Sequence, residues 1–213
     1  MLFDRVTASA RGIAACREIS FTVSRTTSYV LVGRPGSGRQ AIVRCLRGDV
    51  RPQEGRVRVF GLDPRRERRA VAKRIASGEL VLQDERFERK PGATVFATTS
   101  DPALASAADR VGFLAGGRLV LDDGVSEVAR RFRRIRYVNE ITETRTEYGN
   151  ELDLFDAVRV RVRGWGVDAV VSNFDEAAFE RFRATEGVTD VSAPPMSLAE
   201  IFEAVVGGDN PRP

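Results

Sequence analysis

One glycine-rich turn, placed directly after an apolar stretch, limits the folds open to this chain more than any other feature. Residues 29–32 read YVLV and residues 33–40 read GRPGSGRQ, at the spacing of the phosphate-binding pattern G-x-x-x-x-G-K-S/T. In that pattern the glycines turn backbone N–H groups toward phosphate oxygens, the lysine reaches the β- and γ-phosphates, and the hydroxyl binds Mg²⁺. Arg39 and Gln40 replace the lysine and the hydroxyl residue. The sequence therefore predicts a buried strand, a glycine loop with altered side chains, and a helix beginning near Arg39.

The altered loop predicts weakened nucleotide binding. A guanidinium keeps the charge of lysine but is bulkier and differently placed, and Pro35 has no N–H group to offer. Two lost or degraded interactions of about 1.5–3 kcal/mol each lower affinity by roughly 10²- to 10⁴-fold. A plain strand-to-helix turn without a ligand is equally compatible with the pattern. The residues predicted to contact phosphates are Gly33, Pro35, Gly36, Ser37, Gly38, Arg39 and Gln40.

The composition excludes several classes of chemistry. The chain of 213 residues contains no histidine, which removes His-based acid–base catalysis and nearly all zinc sites. Its 34 basic and 30 acidic residues give a net charge of +4, an excess that permits an anionic partner without requiring one. Cys16 and Cys45 have apolar neighbours and no metal-ligand spacing, so buried thiols are expected. No apolar run reaches the roughly 18 residues needed to span a bilayer, and a cytoplasmic protein is expected.

Strands alternate with helical segments after the glycine loop, which predicts an α/β fold with a largely parallel sheet. Two N-terminal strands, at residues 2–6 and 19–23, precede it. The character of the chain changes near Gly124, which divides it into residues 1–124, 125–150 and 151–213. The middle part reads as a basic helix over residues 125–135 followed by a polar linker, and the last part as a small ββαβα module.

A run of arginines lies within that middle part, between Arg130 and Arg136. It allows a nucleic-acid or anionic-membrane patch. Phe132 and Ile135 at helical spacing favour packing against the protein, with the arginines in solvent. Nucleic acid is therefore the less favoured partner.

Taken in order, these pieces resemble an ATP-binding-cassette (ABC) subunit of a membrane transporter that carries a small C-terminal accessory domain. The resemblance implies a P-loop NTPase-like α/β cassette core with antiparallel N-terminal strands, truncated here, plus a small α+β domain. It also implies ATP and Mg²⁺ as cofactors. The matching stretches are residues 19–23, 29–40, 48, 51–61, 94–101, 108–120 and 197–203.

The chain departs from this family at several points of one site. Arg11 stands where the family has an aromatic residue that stacks on adenine, and Ser100 stands where it has a histidine that senses the γ-phosphate. The helical subdomain, the L-S-G-G-Q signature and the D-loop are missing between the glycine loop and Ser100. These coincident losses predict that ATP chemistry has decayed.

Residues 80–85, LVLQDE, match two motifs of the family. As a shortened Walker B motif, Asp84 would hold Mg²⁺ through water and Glu85 would polarise the attacking water. As a Q-loop, Gln83 would couple the nucleotide to the helical subdomain. The spacing from Arg39 favours the Q-loop interpretation, so Asp84 and Glu85 are weak metal and catalytic candidates.

The sequence therefore predicts a degenerate, non-hydrolysing cassette-like subunit that assists a membrane permease or an intact cassette. A partner would hold it at the inner face of the cell membrane, and a second copy of the chain is a further candidate partner. The alternatives are a working ATP-binding subunit of an exporter and a basic scaffold that binds nucleic acid.

Overall fold

The structure is a computed structural model, and it describes residues 1–10, 13–139, 150–164 and 166–207. The chain divides into two compact units, Met1–Val125 and Ser126–Pro213. Among the described residues, no helix is long and apolar enough to cross a membrane. Each unit has its own hydrophobic core.

A five-stranded sheet organises the first unit. Its order is β5-β6-β3-β7-β8, with β3, β5, β6 and β7 parallel and β8 antiparallel to β7. Every residue of β3 and β6 is buried, because parallel strands in the middle of a sheet are covered on both faces. The strands are β3 (Ser28–Gly33), β5 (Leu80–Asp84), β6 (Thr94–Thr99), β7 (Arg110–Ala115) and β8 (Arg118–Gly124), and the helices are α1 (Arg39–Leu46) and α2 (Arg68–Ala76).

A second, antiparallel sheet packs on the same core in the order β2-β1-β4. Its strands are β1 (Leu2–Ala10), β2 (Ile13–Thr22) and β4 (Glu54–Arg58). Four aromatic rings join the two sheets in stacked pairs with centroids 4.5–5.9 Å apart: Phe3, Phe21, Tyr29 and Phe96. The α/β core with antiparallel N-terminal strands that the sequence predicts is confirmed, and both strands of that hairpin are longer than expected.

The second unit contains a four-stranded antiparallel sheet in the order β10-β11-β9-β12. One face carries an apolar core that includes Ile135, Tyr137 and Phe182. Its helices are α3 (Val125–Arg131, which begins at the last residue of the first unit), α4 (Glu176–Arg183) and α5 (Leu198–Val206), and its strands are β9 (Arg133–Asn139), β10 (Ala157–Arg163), β11 (Gly166–Val171) and β12 (Val188–Ser192). A short 3-10 helix covers Asn150–Phe155, and another, in the first unit, covers Pro102–Ala107.

The helix expected over residues 125–135 is wrong beyond Arg131. The chain continues as β9, which lies between β11 and β12. Ile135 and Tyr137 are fully buried while Arg134 and Arg136 lie on the other face, so the period is two, as in a strand. The remainder of the predicted linker, residues 140–149, lies outside the described residues.

Candidate functional site

The glycine loop joins the end of β3 to the start of α1 at Arg39, as predicted. Gly36 and Gly38 have φ values of 82° and 104°, in the left-handed region that favours glycine. A Cβ atom on Gly38 would lie 2.0 Å from the carbonyl oxygen of Ala15 in β2. Packing against β2 therefore requires glycine at this position, and the loop keeps the shape that its sequence predicts.

The rest of the loop leaves the start of α1 without a side-chain cap and without an acidic residue in the first turn. Such a helix end attracts negative charge, because its first N–H groups lack partners. The hydroxyl of Ser37 is buried without a hydrogen-bond partner in the described structure, whereas Pro35 is exposed. The loop thus retains the backbone features of an anion site.

Arg39 and Glu85 form the ion pair at the centre of this site. Arg39 Nη1 lies 2.8 Å from Glu85 Oε1, and the two side chains are 8% and 50% exposed. Glu85 follows β5 in a left-handed conformation, with a φ of 50°. Its own N–H donates to the carbonyl of Thr98 at 2.7 Å, which fixes its position beside β6. The residue in the lysine position is therefore nearly buried and holds a carboxylate.

Three further donors surround the carboxylate of Glu85. Its Oε2 accepts hydrogen bonds from the N–H of Ser100 at 2.8 Å, the Ser100 hydroxyl at 3.0 Å and the Thr99 hydroxyl at 3.3 Å. Partial burial raises the pKa of Glu85, but the hydrogen bonds from Ser100 and Arg39 outweigh this effect and lower the pKa to about 2. Glu85 is therefore a charged, fully engaged acceptor at neutral pH.

A second pairing links Gln40 to Asp84. Gln40 Nε2 donates to Asp84 Oδ2 at 3.0 Å, and the hydroxyl of Thr98 donates to Asp84 Oδ1 at 2.5 Å. Both oxygens of this carboxylate therefore have a donor within the protein. The two substituted positions of the loop are each paired with one of the two consecutive acids at the end of β5, Asp84 and Glu85.

Gln83, which the sequence predicts as a nucleotide contact, makes different bonds. Its amide accepts from the N–H of Glu88 at 2.8 Å and donates to the carbonyl of Glu88 at 3.0 Å. Gln83 is buried and points to the opposite side of β5 from Asp84, since side chains alternate along a strand. It stabilises the turn after β5 and is not among the side chains paired with the glycine loop.

The sequence did not identify Thr98 and Thr99 as members of this site, although they precede Ser100 at the end of a predicted strand. Register explains their place: Asp84 lies opposite Thr98 in the parallel pair of β5 and β6. Arg11, predicted in the adenine position, lies outside the described residues.

Parts of the chain are similar in sequence to known proteins. A family model described as ABC transporter matches residues 16–193 of the chain. A 53-residue segment is 38% identical to the phosphonates import ATP-binding protein PhnC of Nitratidesulfovibrio vulgaris, over 25% of this chain and 20% of PhnC. A 47-residue segment is 43% identical to the energy-coupling factor transporter ATP-binding protein EcfA1 of Geobacillus kaustophilus, over 22% of this chain and 17% of EcfA1. The matches thus span about a fifth of these relatives' own length.

A solved structure of an ATP binding subunit of an ABC transporter resembles the chain in fold. The superposition has a TM-score of 0.51 and 13% sequence identity, and it covers 61% of this chain and 92% of that one. At this identity the likeness concerns the fold alone.

Proposed function

The chain belongs to the ABC transporter family and has the α/β fold of an ATP-binding cassette. We propose that it is a cassette-type subunit that does not hydrolyse ATP. It acts as an assembly or regulatory partner of a membrane permease or of an intact cassette. The observation that carries this proposal is the ion pair of Arg39 and Glu85. This pair engages the two side chains on which phosphate contact and water activation would depend.

A nucleotide phosphate would compete with Glu85 for the guanidinium of Arg39. A phosphate can bind the guanidinium fully only if the guanidinium leaves Glu85, and Arg39 is almost buried, where an unpaired charge is costly. A hydrogen bond to a charged group contributes about 1.5–3 kcal/mol, which corresponds to a roughly ten- to hundredfold change in affinity. The internal pair therefore supports weakened nucleotide binding.

We infer that Asp84 and Glu85 occupy the Walker B position, in place of the Q-loop interpretation that chain spacing favours. The carboxyl ends of parallel strands meet at one edge of a sheet, and β6 alone separates β5 from β3. Both acids pair with the glycine loop, whereas Gln83 bonds to the backbone of Glu88. In the Walker B role Glu85 would polarise a water, but its oxygens already accept from Arg39, Thr99 and Ser100.

The residues beside the loop do not fit Mg²⁺. Gln40 lacks the hydroxyl that binds the metal, and its amide N–H group faces the carboxylate of Asp84. Asp84, the remaining candidate, already accepts hydrogen bonds at both of its oxygens. Because divalent cations need several oxygen ligands, we infer that Mg²⁺ binding is weakened, and we assign no hydrolytic step to the chain.

The stretch between the two motifs supports the same conclusion. Residues 41–83, all described, contain the rest of α1, β4, α2 and most of β5. The helical subdomain and signature that the family resemblance implies are not found in this stretch. Since paired cassettes complete each other's sites with that signature, the chain would leave a partner's site incomplete as well.

The second unit supports the accessory-domain part of the proposal. Its sheet and core are formed within residues 126–213, which is the expected organisation of a separate C-terminal domain. We propose that this domain accompanies the truncated cassette. We also propose that a permease or cassette partner holds the protein at the inner face of the membrane.

Calorimetric titration with Mg-ATP tests the nucleotide part of the proposal. The double variant Arg39→Lys/Gln40→Ser restores the usual loop chemistry, and we expect it to bind at least tenfold more tightly than the wild type. Arg44→Lys makes the same exchange on the exposed side of α1 and should leave the affinity unchanged. Equally tight binding by the wild type and the double variant would overturn the proposal.

Co-purification from native membranes tests the partner. We expect a permease or an intact cassette to be recovered with the protein. Recovery of neither from detergent-solubilised membranes would contradict the assembly role while leaving the nucleotide result intact.

A working ATP-binding subunit of an exporter is the second candidate. It is favoured by one observation, namely that Asp84 and Glu85 both contact the glycine loop. Nucleotide would then displace Arg39 from Glu85 and free this carboxylate. Phosphate release by the purified protein distinguishes this candidate from the first.

A further inference from the structure

An arginine-lined groove lies on the second unit, on the face of the sheet opposite the apolar core. Its volume is about 600 Å³, within the range of small-molecule sites. Helix α5 lines one side and strands β9, β10 and β11 line the other. The charged residues that line this arginine groove are Arg134, Arg136, Arg159, Arg161 and Arg163, with Asp168, Glu200 and Glu203.

Strand register gathers the five arginines. β9 contributes Arg134 and Arg136, and β10 contributes three more at every second position. β11 lies between these strands, with Asp168 opposite both Arg136 and Arg161. Side chains at every second position of a strand are about 7 Å apart, and β9 and β10 are separated by roughly 10 Å. The guanidinium groups are therefore spread over the floor of the groove.

The groove contains more positive charge than its own carboxylates neutralise. Arg136 lies 3.5 Å from Asp168 and Arg134 lies 3.4 Å from Glu200, so two of the five arginines have a carboxylate partner. Arg159 donates to a backbone carbonyl, that of Glu203, at 2.9 Å. Five arginines face three carboxylates, so the groove keeps an excess of positive charge.

Two arginines provide unused donors in the groove. Arg161 and Arg163 are exposed, and neither has a carboxylate partner within the described part of the chain. Their guanidinium groups are therefore available to bind an anion that enters the groove.

We propose that the arginine groove binds a small anion that carries two or more phosphoryl groups. Planar guanidinium forks bind phosphate oxygens in pairs, and five of them can contact several phosphoryl groups at once. Single-stranded nucleic acid would require aromatic side chains for base stacking, and the described lining contains none. The site lies outside the glycine loop and does not depend on the function proposed above.

Calorimetric titration of the full-length chain with tripolyphosphate tests this site. The variant Arg39→Ala serves as background, so that the glycine loop does not contribute. We expect saturable binding that weakens at least tenfold in Arg161→Ala/Arg163→Ala. The matched control Arg181→Ala/Arg183→Ala removes the same charge from the exposed side of α4 and should change the affinity less than twofold.

Two further measurements complete the test. The first identifies the source of the anion, and the second uses a charge-conserving variant to separate a loss of binding from misfolding. Sedimentation with phosphatidylcholine vesicles, with and without a phosphoinositide bisphosphate, separates the two sources. Vesicle binding lost in Arg161→Ala/Arg163→Ala indicates a lipid headgroup, and tripolyphosphate binding alone indicates a soluble ligand. Arg161→Lys/Arg163→Lys keeps the charge and should still weaken binding of tripolyphosphate. Absence of saturable binding, or an equal loss in the α4 control, would overturn the proposal.

Discussion

Arg39 Nη1 donates a hydrogen bond to Glu85 Oε1 at 2.8 Å, although 46 positions separate the two residues along the chain. The arginine stands in the lysine position of a phosphate-binding loop, and the glutamate follows a strand that ends beside that loop. An internal carboxylate is therefore the partner of a side chain that would otherwise be available to phosphate. A nucleotide phosphate would have to compete with Glu85 to form a hydrogen bond with Arg39.

The pH dependence of stability should report the environment of Glu85. Its pKa is about 2 in the folded protein and 4.5 in the reference state, so the unfolded chain binds more protons between these values. The stabilisation is present above about pH 4.5 and is lost as pH falls toward 2. Because half of the side chain is exposed, we expect a contribution of about 1 kcal/mol.

Urea denaturation of the wild type and Glu85→Gln between pH 2.5 and 7 measures this contribution. The two stability curves should converge as pH falls through the window. Ser100→Ala removes one donor and retains the backbone N–H, so it should give a smaller difference. Parallel curves for the wild type and Glu85→Gln would show that the ionised carboxylate of Glu85 does not stabilise the folded protein.

The contact of Gly38 with Ala15 can be separated from the backbone strain at Gly38. Gly38→Ala would place a Cβ atom 2.0 Å from a carbonyl oxygen, whereas a Cβ atom on Gly36 would meet nothing within 4 Å. Both glycines are left-handed, which costs an alanine about 1–2 kcal/mol. We expect Gly36→Ala to lose about that much stability and Gly38→Ala to lose at least about 2 kcal/mol more. Equal losses in denaturant titrations would contradict the packing of the loop against β2.

The sequence predicted features that depend on local residues. The glycine spacing and the apolar run before it correctly predicted β3, the loop and the start of α1 at Arg39. The bond between Arg39 and Glu85 depends instead on strand order, because β6 enters the sheet between β3 and β5 although it follows both in the chain. Spacing along the chain carries no information on that order. In β9 the buried residues Ile135 and Tyr137 occupy alternate positions. The many arginines around them made this period of two difficult to recognise in the sequence.

Both cysteines should resist thiol reagents in the folded protein. Cys16 and Cys45 are buried, as predicted, and unpaired. Burial raises the pKa of Cys16, and burial together with the nearby Cys16 raises the pKa of Cys45 to about 12. Since the thiolate is the reactive form, we expect no reaction with dithionitrobenzoate at pH 8 until guanidinium chloride unfolds the chain. Stoichiometric labelling of the native protein would contradict the burial, and Cys16→Ser and Cys45→Ser would identify the reactive thiol.

The start of α5 is stabilised by a capping box. The hydroxyl of Ser197 accepts from the N–H of Glu200, and the carboxylate of Glu200 accepts from the N–H of Ser197 at 3.0 Å. Ser197→Ala should lower the free energy of unfolding by about 1 kcal/mol. Ser197→Thr keeps the acceptor and should retain most of the stability in the same urea titration. Equal stability of the wild type and Ser197→Ala would show that the box does not support α5.

Phosphate release from Mg-ATP by the purified wild type, compared with Glu85→Gln, measures directly whether the chain hydrolyses ATP. Arg39 holds Glu85, Gln40 replaces the metal-binding hydroxyl, and Asp84 is occupied by internal donors. We predict that release by the wild type equals the protein-free background and that Glu85→Gln does not change it. Saturable release by the wild type that Glu85→Gln abolishes would show that the chain hydrolyses ATP and that Glu85 takes part in the reaction.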